Sequence, residues 1–148
     1  MKLFTSRFSN PQLNSGEYFA VGITLGKPKY KLPYEEGYHS YLLAPRGWMW
    51  KIESDDDFNR EYAKMLDSHE NEVAQELRKI GQMAKGKDVV LLCYEDVRDP
   101  SQSCHRTVLA EWITQHFNVK VEELPDPSPC KAKKRKPKLE QLTLMGLL

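Results

Sequence analysis

The chain has 148 residues, 40% of them hydrophobic and 29% charged, with a formal net charge of +1. That is the size and composition of one soluble globular domain, and it excludes collagen-like, coiled-coil and disulfide-framework classes. No apolar run approaches the ~20 residues of a membrane span, and the opening residues Met1 to Arg7 lack the apolar core of an export signal, so a cytoplasmic protein with reduced thiols and no membrane contact is expected.

Residues 2–5 form a short strand candidate, and residues 17–24, Glu-Tyr-Phe-Ala-Val-Gly-Ile-Thr, a stronger one, rich in aromatic and β-branched side chains. From Gly26 to about Glu53 the chain reads as irregular, because Pro28, Pro33 and Pro45 resist continuous helix or strand. Ser54 then offers an N-cap, and Asp55, Asp56 and Asp57 place acids in the first turn, where the helix dipole favours them. Phe58, Tyr62, Met65 and Leu66, then Val73, Leu77, Ile80 and Ala84, recur at helical spacing. The polar stretch 67–71 bends or divides this helix, and Lys85-Gly86-Lys87 ends it. Val89-Val90-Leu91-Leu92-Cys93 has the length and continuous apolarity of a strand buried on both faces. A helix is predicted over 99–117, with Asp99 as cap, Pro100 at the first position and Gln102 completing a capping box. A last short strand falls at 119–122. Strands alternating with helices predict an α/β fold, a small mostly parallel sheet flanked by helices, as a single domain over residues 1–124.

Past Pro125 the composition changes. Pro125, Pro127 and Pro129 punctuate a Pro/Lys-rich linker over 125–138, and residues 139–148 are apolar again. Up to position 130 the chain carries 16 Lys and Arg against 20 Asp and Glu, whereas residues 131–148 carry six basic side chains and only Glu140. The molecule is therefore an acidic body with a basic tail, and that tail is expected to be disordered in isolation.

The chemistry-bearing residues gather where the buried strand ends and the next helix starts. Cys93 closes the strand, Glu95 and Asp96 follow on the loop, and Cys104, His105 and Arg106 lie in the first turns of the helix. In open α/β sheets ligands bind beyond the carboxyl ends of the strands. A helix N-terminus and a neighbouring cation both favour a thiolate or a bound anion. In this reading Cys93 or Cys104 is a nucleophile or redox thiol, Arg106 holds an anionic group, and Glu95 or His105 moves a proton. Cys93 equally fits a small core residue, and His105 and Arg106 equally fit surface or capping roles. The spacing of Cys93, Cys104 and His105 is that of no standard zinc finger or ribbon, so neither a metal nor a cofactor is expected.

Leu91-Leu92-Cys93-Tyr94-Glu95-Asp96, Cys104-His105-Arg106 and Leu109-Ala110-Glu111-Trp112 together resemble the signature of the domain of unknown function 488 family: an apolar strand ending in Leu-Cys-x-Glu, then Cys-His-Arg opening a helix. Ala20-Val21-Gly22-Ile23-Thr24, Gly26-Lys27-Pro28, Leu43-Ala44-Pro45 and Phe58-Asn59-Arg60-Glu61-Tyr62 follow the order of one branch of that family, and the resemblance covers roughly residues 1–124. It implies an α/β fold and a shared site at these residues, and it names no reaction.

Two further segments carry expectations. Tyr30, Tyr34, Tyr38, Tyr41, Trp48 and Trp50 lie among Lys27, Lys29, Lys31, Arg46 and Lys51. Stacking rings beside cations suit single-stranded nucleic acid, with Lys27, Lys29, Tyr30, Arg46, Trp48 and Trp50 as the contacts. The same rings equally suit packing of a long loop onto the sheet. His39 in this loop is a weak candidate base, with a solvated ring the simpler reading. Near the end, Gln141-Leu142-Thr143-Leu144-Met145 resembles the linear motif by which bacterial proteins dock on the replicative sliding clamp, with Gln141, Leu142, Leu144 and Met145 as anchors. An apolar end folding back on the body, or touching a membrane surface, is the alternative. The residues thus suggest a DNA-associated, cysteine-dependent enzyme acting on an anionic or nucleic-acid substrate, or else a non-catalytic nucleic-acid or partner-binding module. A Cys93–Cys104 redox sensor is a third idea.

Overall fold

The computed structural model describes residues 1–130; the clamp-like motif and the basic run lie outside them. Among the described residues five strands, β1 Leu3–Arg7, β2 Tyr18–Gly22, β3 Tyr38–His39, β4 Asp88–Cys93 and β5 Val121–Glu123, form one sheet in the order β3-β2-β4-β1-β5. Every neighbouring pair is parallel. The β3–β4 connection runs through the helices α1 Asp55–Ser68 and α2 Glu70–Met83, and the β4–β5 connection through α3 His105–Phe117, so the α/β reading holds. None of these helices is long and apolar enough to cross a membrane.

The continuous apolar run becomes β4, hydrogen-bonded to β2 on one side and β1 on the other. Its alternate side chains enter two different cores, as a period of two requires. Val89 and Leu91 join Tyr62, Leu66, Val73, Ile80, Leu109, Trp112 and Ile113 from the three helices. Val90 and Leu92 face a smaller cluster with Phe8, Leu13, Ala20 and Leu124, flanked by Leu32 and Tyr34. One face is thus roofed by helices, and the other by a 3-10 turn (Pro11–Ser15) and irregular chain.

Several boundaries depart from the expected ones. The Ser54 cap forms as read, its hydroxyl accepting from the Asp57 N–H at 3.4 Å, and the long helix divides at His69. The helix predicted from 99 begins only at His105. Asp99 is spent on a local turn instead, its Oδ1 accepting from the Ser101 N–H and hydroxyl at 2.9 and 2.7 Å, the competition with helix that short polar side chains offer. The last strand is shifted to Val121–Glu123. The two-residue β3 and the 3-10 turn Gly47–Lys51 are short pieces inside the stretch read as irregular. Packing also continues past 124. Leu124 is buried, Arg7 Nε donates to Asp126 Oδ2 at 2.6 Å, and Arg98 Nη1 donates to the Ser128 carbonyl at 2.7 Å.

Leu91 is fully buried at the centre of the sheet. Leu91→Ala should cost roughly 2–5 kcal/mol, read as a drop in the urea midpoint with unchanged slope.

Candidate active site

The parallel sheet sends all its strand ends to one edge, with Arg7 of β1 opposite Cys93 of β4. Because α3 starts late, Cys104 is its N-cap residue, with extended backbone (φ −133°, ψ 139°) and no capping bond from its side chain. His105 and Arg106 are therefore the first two helical residues, and their side chains fold back over the ends of β4, β2 and β5.

Arg106 is fully buried. Its Nε and Nη2 donate to the two carboxylate oxygens of Glu123 at 2.9 and 2.7 Å. Its Nη1 donates to the Glu95 carbonyl at 2.7 Å and to Cys93 Sγ at 2.9 Å. These bonds use the guanidinium inside the protein, on the Glu123 carboxylate, the Glu95 carbonyl and the Cys93 sulfur, rather than on a substrate anion. Cys93 Sγ also lies 3.5 Å from Glu95 Oε2, the acceptor for its proton.

Cys93 and Cys104 face one another with their sulfurs within bonding distance and their Cα atoms 7.2 Å apart. His105 Nδ1 stands 3.8 Å from Cys104 Sγ, and its Nε2 lies 2.6 Å from the Ile23 carbonyl. A carbonyl only accepts, so Nε2 carries the hydrogen and Nδ1 presents its lone pair to the sulfur. The ring also packs edge-on against Tyr62 at 5.3 Å. Burial pushes the His105 pKa down to about 4, the Ile23 carbonyl opposing that shift and the Arg106 charge adding to it.

Cys93 is sealed, whereas Cys104 borders a cleft of about 720 Å³ beside the first turns of α3, shared with Thr5, Gln102, Ser103, Thr107 and Glu123. A larger cleft of about 890 Å³ opens at the opposite end of the strands, lined mainly by apolar residues such as Leu3, Leu77, Ile80 and Phe117. It contains no cysteine or histidine, and the chemistry lies at the other edge.

The fold thus brings Cys93, Glu95, Cys104, His105 and Arg106 together, as their sequence placement suggested. Asp96 is occupied elsewhere: the Arg98 guanidinium beside it holds its carboxyl down at about 2, and Arg7 lies 3.9 Å away. His39 is not a solvated loop residue. Its Nδ1 meets Glu36 Oε1 and its Nε2 the Thr24 carbonyl, each at 2.6 Å.

In the aromatic loop Tyr34 and Tyr38 pack down, donating to the Phe8 carbonyl and to Glu76. Tyr30, Tyr41, Trp48 and Trp50 stay at least half exposed, and Lys27 and Lys29 are exposed with them. Arg46 braces the loop through the Tyr41 and Ala44 carbonyls. Sequence reasoning passed over Glu123 and the Ile23 carbonyl. An arginine among the apolar positions of a buried helix demands a carboxylate from a facing element, and that demand was a usable signal for Glu123.

The model of the family DUF488-N3a, described as the active DUF488-N3 subclade, matches residues 15–117. No curated protein and no solved structure matches the chain.

Two outcomes follow from the burial of these charges. Glu123→Ala strands the Arg106 cation in the core and should cost roughly 3–5 kcal/mol in chemical denaturation, although Glu123 is 38% exposed. Arg106→Ala should cost a similar amount, because it leaves a cavity and strips the Cys93 sulfur, the Glu95 carbonyl and the Glu123 carboxylate of their donor. His105 has a folded pKa below its unfolded one, so the unfolded chain binds the extra proton. Stability should hold above about pH 6.5 and fall towards about pH 4, a slope that denaturant titrations should find flattened in His105→Gln.

Proposed function

The chain belongs to the DUF488-N3 subclade, and from that premise we propose that it is a DNA-associated, cysteine-dependent enzyme acting on an anionic or nucleic-acid substrate. The observation that carries this reading is Cys104. Cys104 borders the cleft, and its Sγ has the imidazole Nδ1 of His105 at 3.8 Å. Cys104 Sγ attacks the electrophilic atom of the substrate as the bond from that atom to its leaving group breaks, and His105 Nδ1 takes the thiol proton and hands it to the departing group. The N-terminal turn of α3 receives the anionic part of the substrate. Glu95 and Arg106 act one step back, on Cys93: the carboxylate takes its proton and the guanidinium steadies the resulting charge. Cys93 in turn lies against the reacting sulfur.

Association with DNA is supported by the exposed Tyr30, Trp48 and Trp50 and the exposed Lys27 and Lys29, with Arg46 holding the loop in shape. Bases stack on such rings while cations meet phosphates. Recruitment to a sliding clamp through Gln141, Leu142, Leu144 and Met145 belongs to the same proposal and rests on the motif alone. The complete burial of Cys93 and Arg106 favours a second reading, a non-catalytic nucleic-acid-binding module in which the cluster only braces the fold.

Alkylation of the reduced, metal-free full chain by iodoacetamide, with adducts located by mass spectrometry, separates the two. In a Cys130→Ser background the enzyme reading expects a single fast adduct on Cys104, absent in Cys104→Ser and slowed at least tenfold in His105→Gln. Reaction of folded Cys104 no faster than in the urea-unfolded chain would sink that reading. Trp48→Ala and Trp50→Ala should each weaken single-strand binding by about tenfold, consistent with roughly 1–3 kcal/mol per stacked base. Unchanged binding in both would remove the loop from the account.

A further inference from the structure

Cys93 Sγ, Cys104 Sγ and His105 Nδ1 all lie within 4.8 Å of one another in a buried pocket. We infer that these three atoms form a binding site for a zinc-class divalent cation, with a fourth coordination position open towards the cleft. The inference does not depend on Cys104 being a nucleophile.

Two thiolates and one imidazole are the donor set that a borderline-soft d¹⁰ ion takes, at about 2.3 Å from sulfur and 2.0–2.1 Å from nitrogen. A tetrahedral ion holding both sulfurs needs them roughly 3.8 Å apart, by geometry from those bond lengths. The cysteine Cα atoms stand 7.2 Å apart, wider than the roughly 4.4–6.8 Å that disulfides usually span. The backbone therefore leaves room between the side chains for an ion once the reduced sulfurs rotate apart.

The surroundings are those of a prepared ligand set. The Nε2–H of His105 is fixed on the Ile23 carbonyl at 2.6 Å, which aims Nδ1 inward, the orientation a second partner gives a metal-binding histidine. The Nη1 of Arg106 donates to Cys93 Sγ at 2.9 Å, a bond that persists to a metal-bound thiolate. Cys104 borders the cleft, so water or a substrate atom can fill the fourth position; three protein ligands plus an open place distinguish catalytic from structural zinc. The two thiols bind as thiolates, so uptake of one ion releases two protons to solvent.

The test uses the reduced, metal-free full chain. Zn²⁺ is titrated against a chromophoric chelator, Co²⁺ is added in a parallel experiment, and proton release is followed in weak buffer. Wild type and Cys130→Ser should each bind one zinc, release about two protons and give tetrahedral cobalt bands with thiolate-to-cobalt charge transfer. Cys104→Ser, at the cleft, and His105→Gln should each weaken zinc binding by at least about 100-fold, with circular dichroism checking that they remain folded. If Cys104→Ser fails to fold, protection of Cys104 from iodoacetamide by Zn²⁺ in the wild type replaces it. Absence of cobalt charge transfer in folded wild type, or zinc affinity unchanged in folded Cys104→Ser, would overturn the site. Zinc binding with an unreactive metal-free Cys104 would defeat only the nucleophile reading; a reactive Cys104 without zinc binding would defeat only this one.

Discussion

A guanidinium with no access to water must find its counter-charge and hydrogen bonds within the fold, and the carboxyl edge of this sheet is arranged around that demand. Arg106 satisfies it with the Glu123 carboxylate from β5, the Glu95 carbonyl from the loop after β4, and the Cys93 sulfur. Those partners come from two separate stretches of chain, residues 93–95 and Glu123. Their mutual positions are consequently set by one planar group whose donors point in fixed directions. Placement of the strand ends, the start of α3 and the neighbouring sulfurs follows from it. The same group cannot also serve as an open anion receptor.

Much of the architecture could be read from local chemistry. The run Val89 to Cys93 declared a strand buried on both faces, because no polar residue interrupts it, and both neighbouring strands are in place. Ser54 with three acids declared the start of α1, and the polar residues near 69 the break between α1 and α2. The start of α3 could not be read in the same way. Asp99, Pro100 and Gln102 satisfy every local rule for a cap, yet Asp99 closes its own turn with Ser101. Local rules describe what a residue is able to do and do not rank two uses of one carboxylate. β3 has only two residues, and its pairing with β2 is a long-range event that no period reveals.

The site was legible as a set of residues, though not as a geometry. Cysteine, histidine and arginine at a helix start suggest reactive or ligating chemistry from their types alone. Their spacing along the chain gives no sign that three ligand atoms converge, because Cys93 arrives from a strand and the others from a helix eleven positions later. The contacts that orient the cluster are carbonyls of Ile23 and Glu95, and backbone oxygens carry no sequence signature. The aromatic loop divides between its two readings: Tyr34 and Tyr38 bind the body, while Trp48 and Trp50 stay in solvent.

The clasp that Arg7 and Arg98 place on Asp126 and Ser128 anchors the chain beside Asp96, on the loop that leaves β4. Residues 126–128 are thereby moored at the rim that holds the sulfurs rather than at the far end of the strands. The clasp ties the chain that leaves β5 back to the loop that leaves β4, so the two strand ends beside the sulfurs are held as one unit.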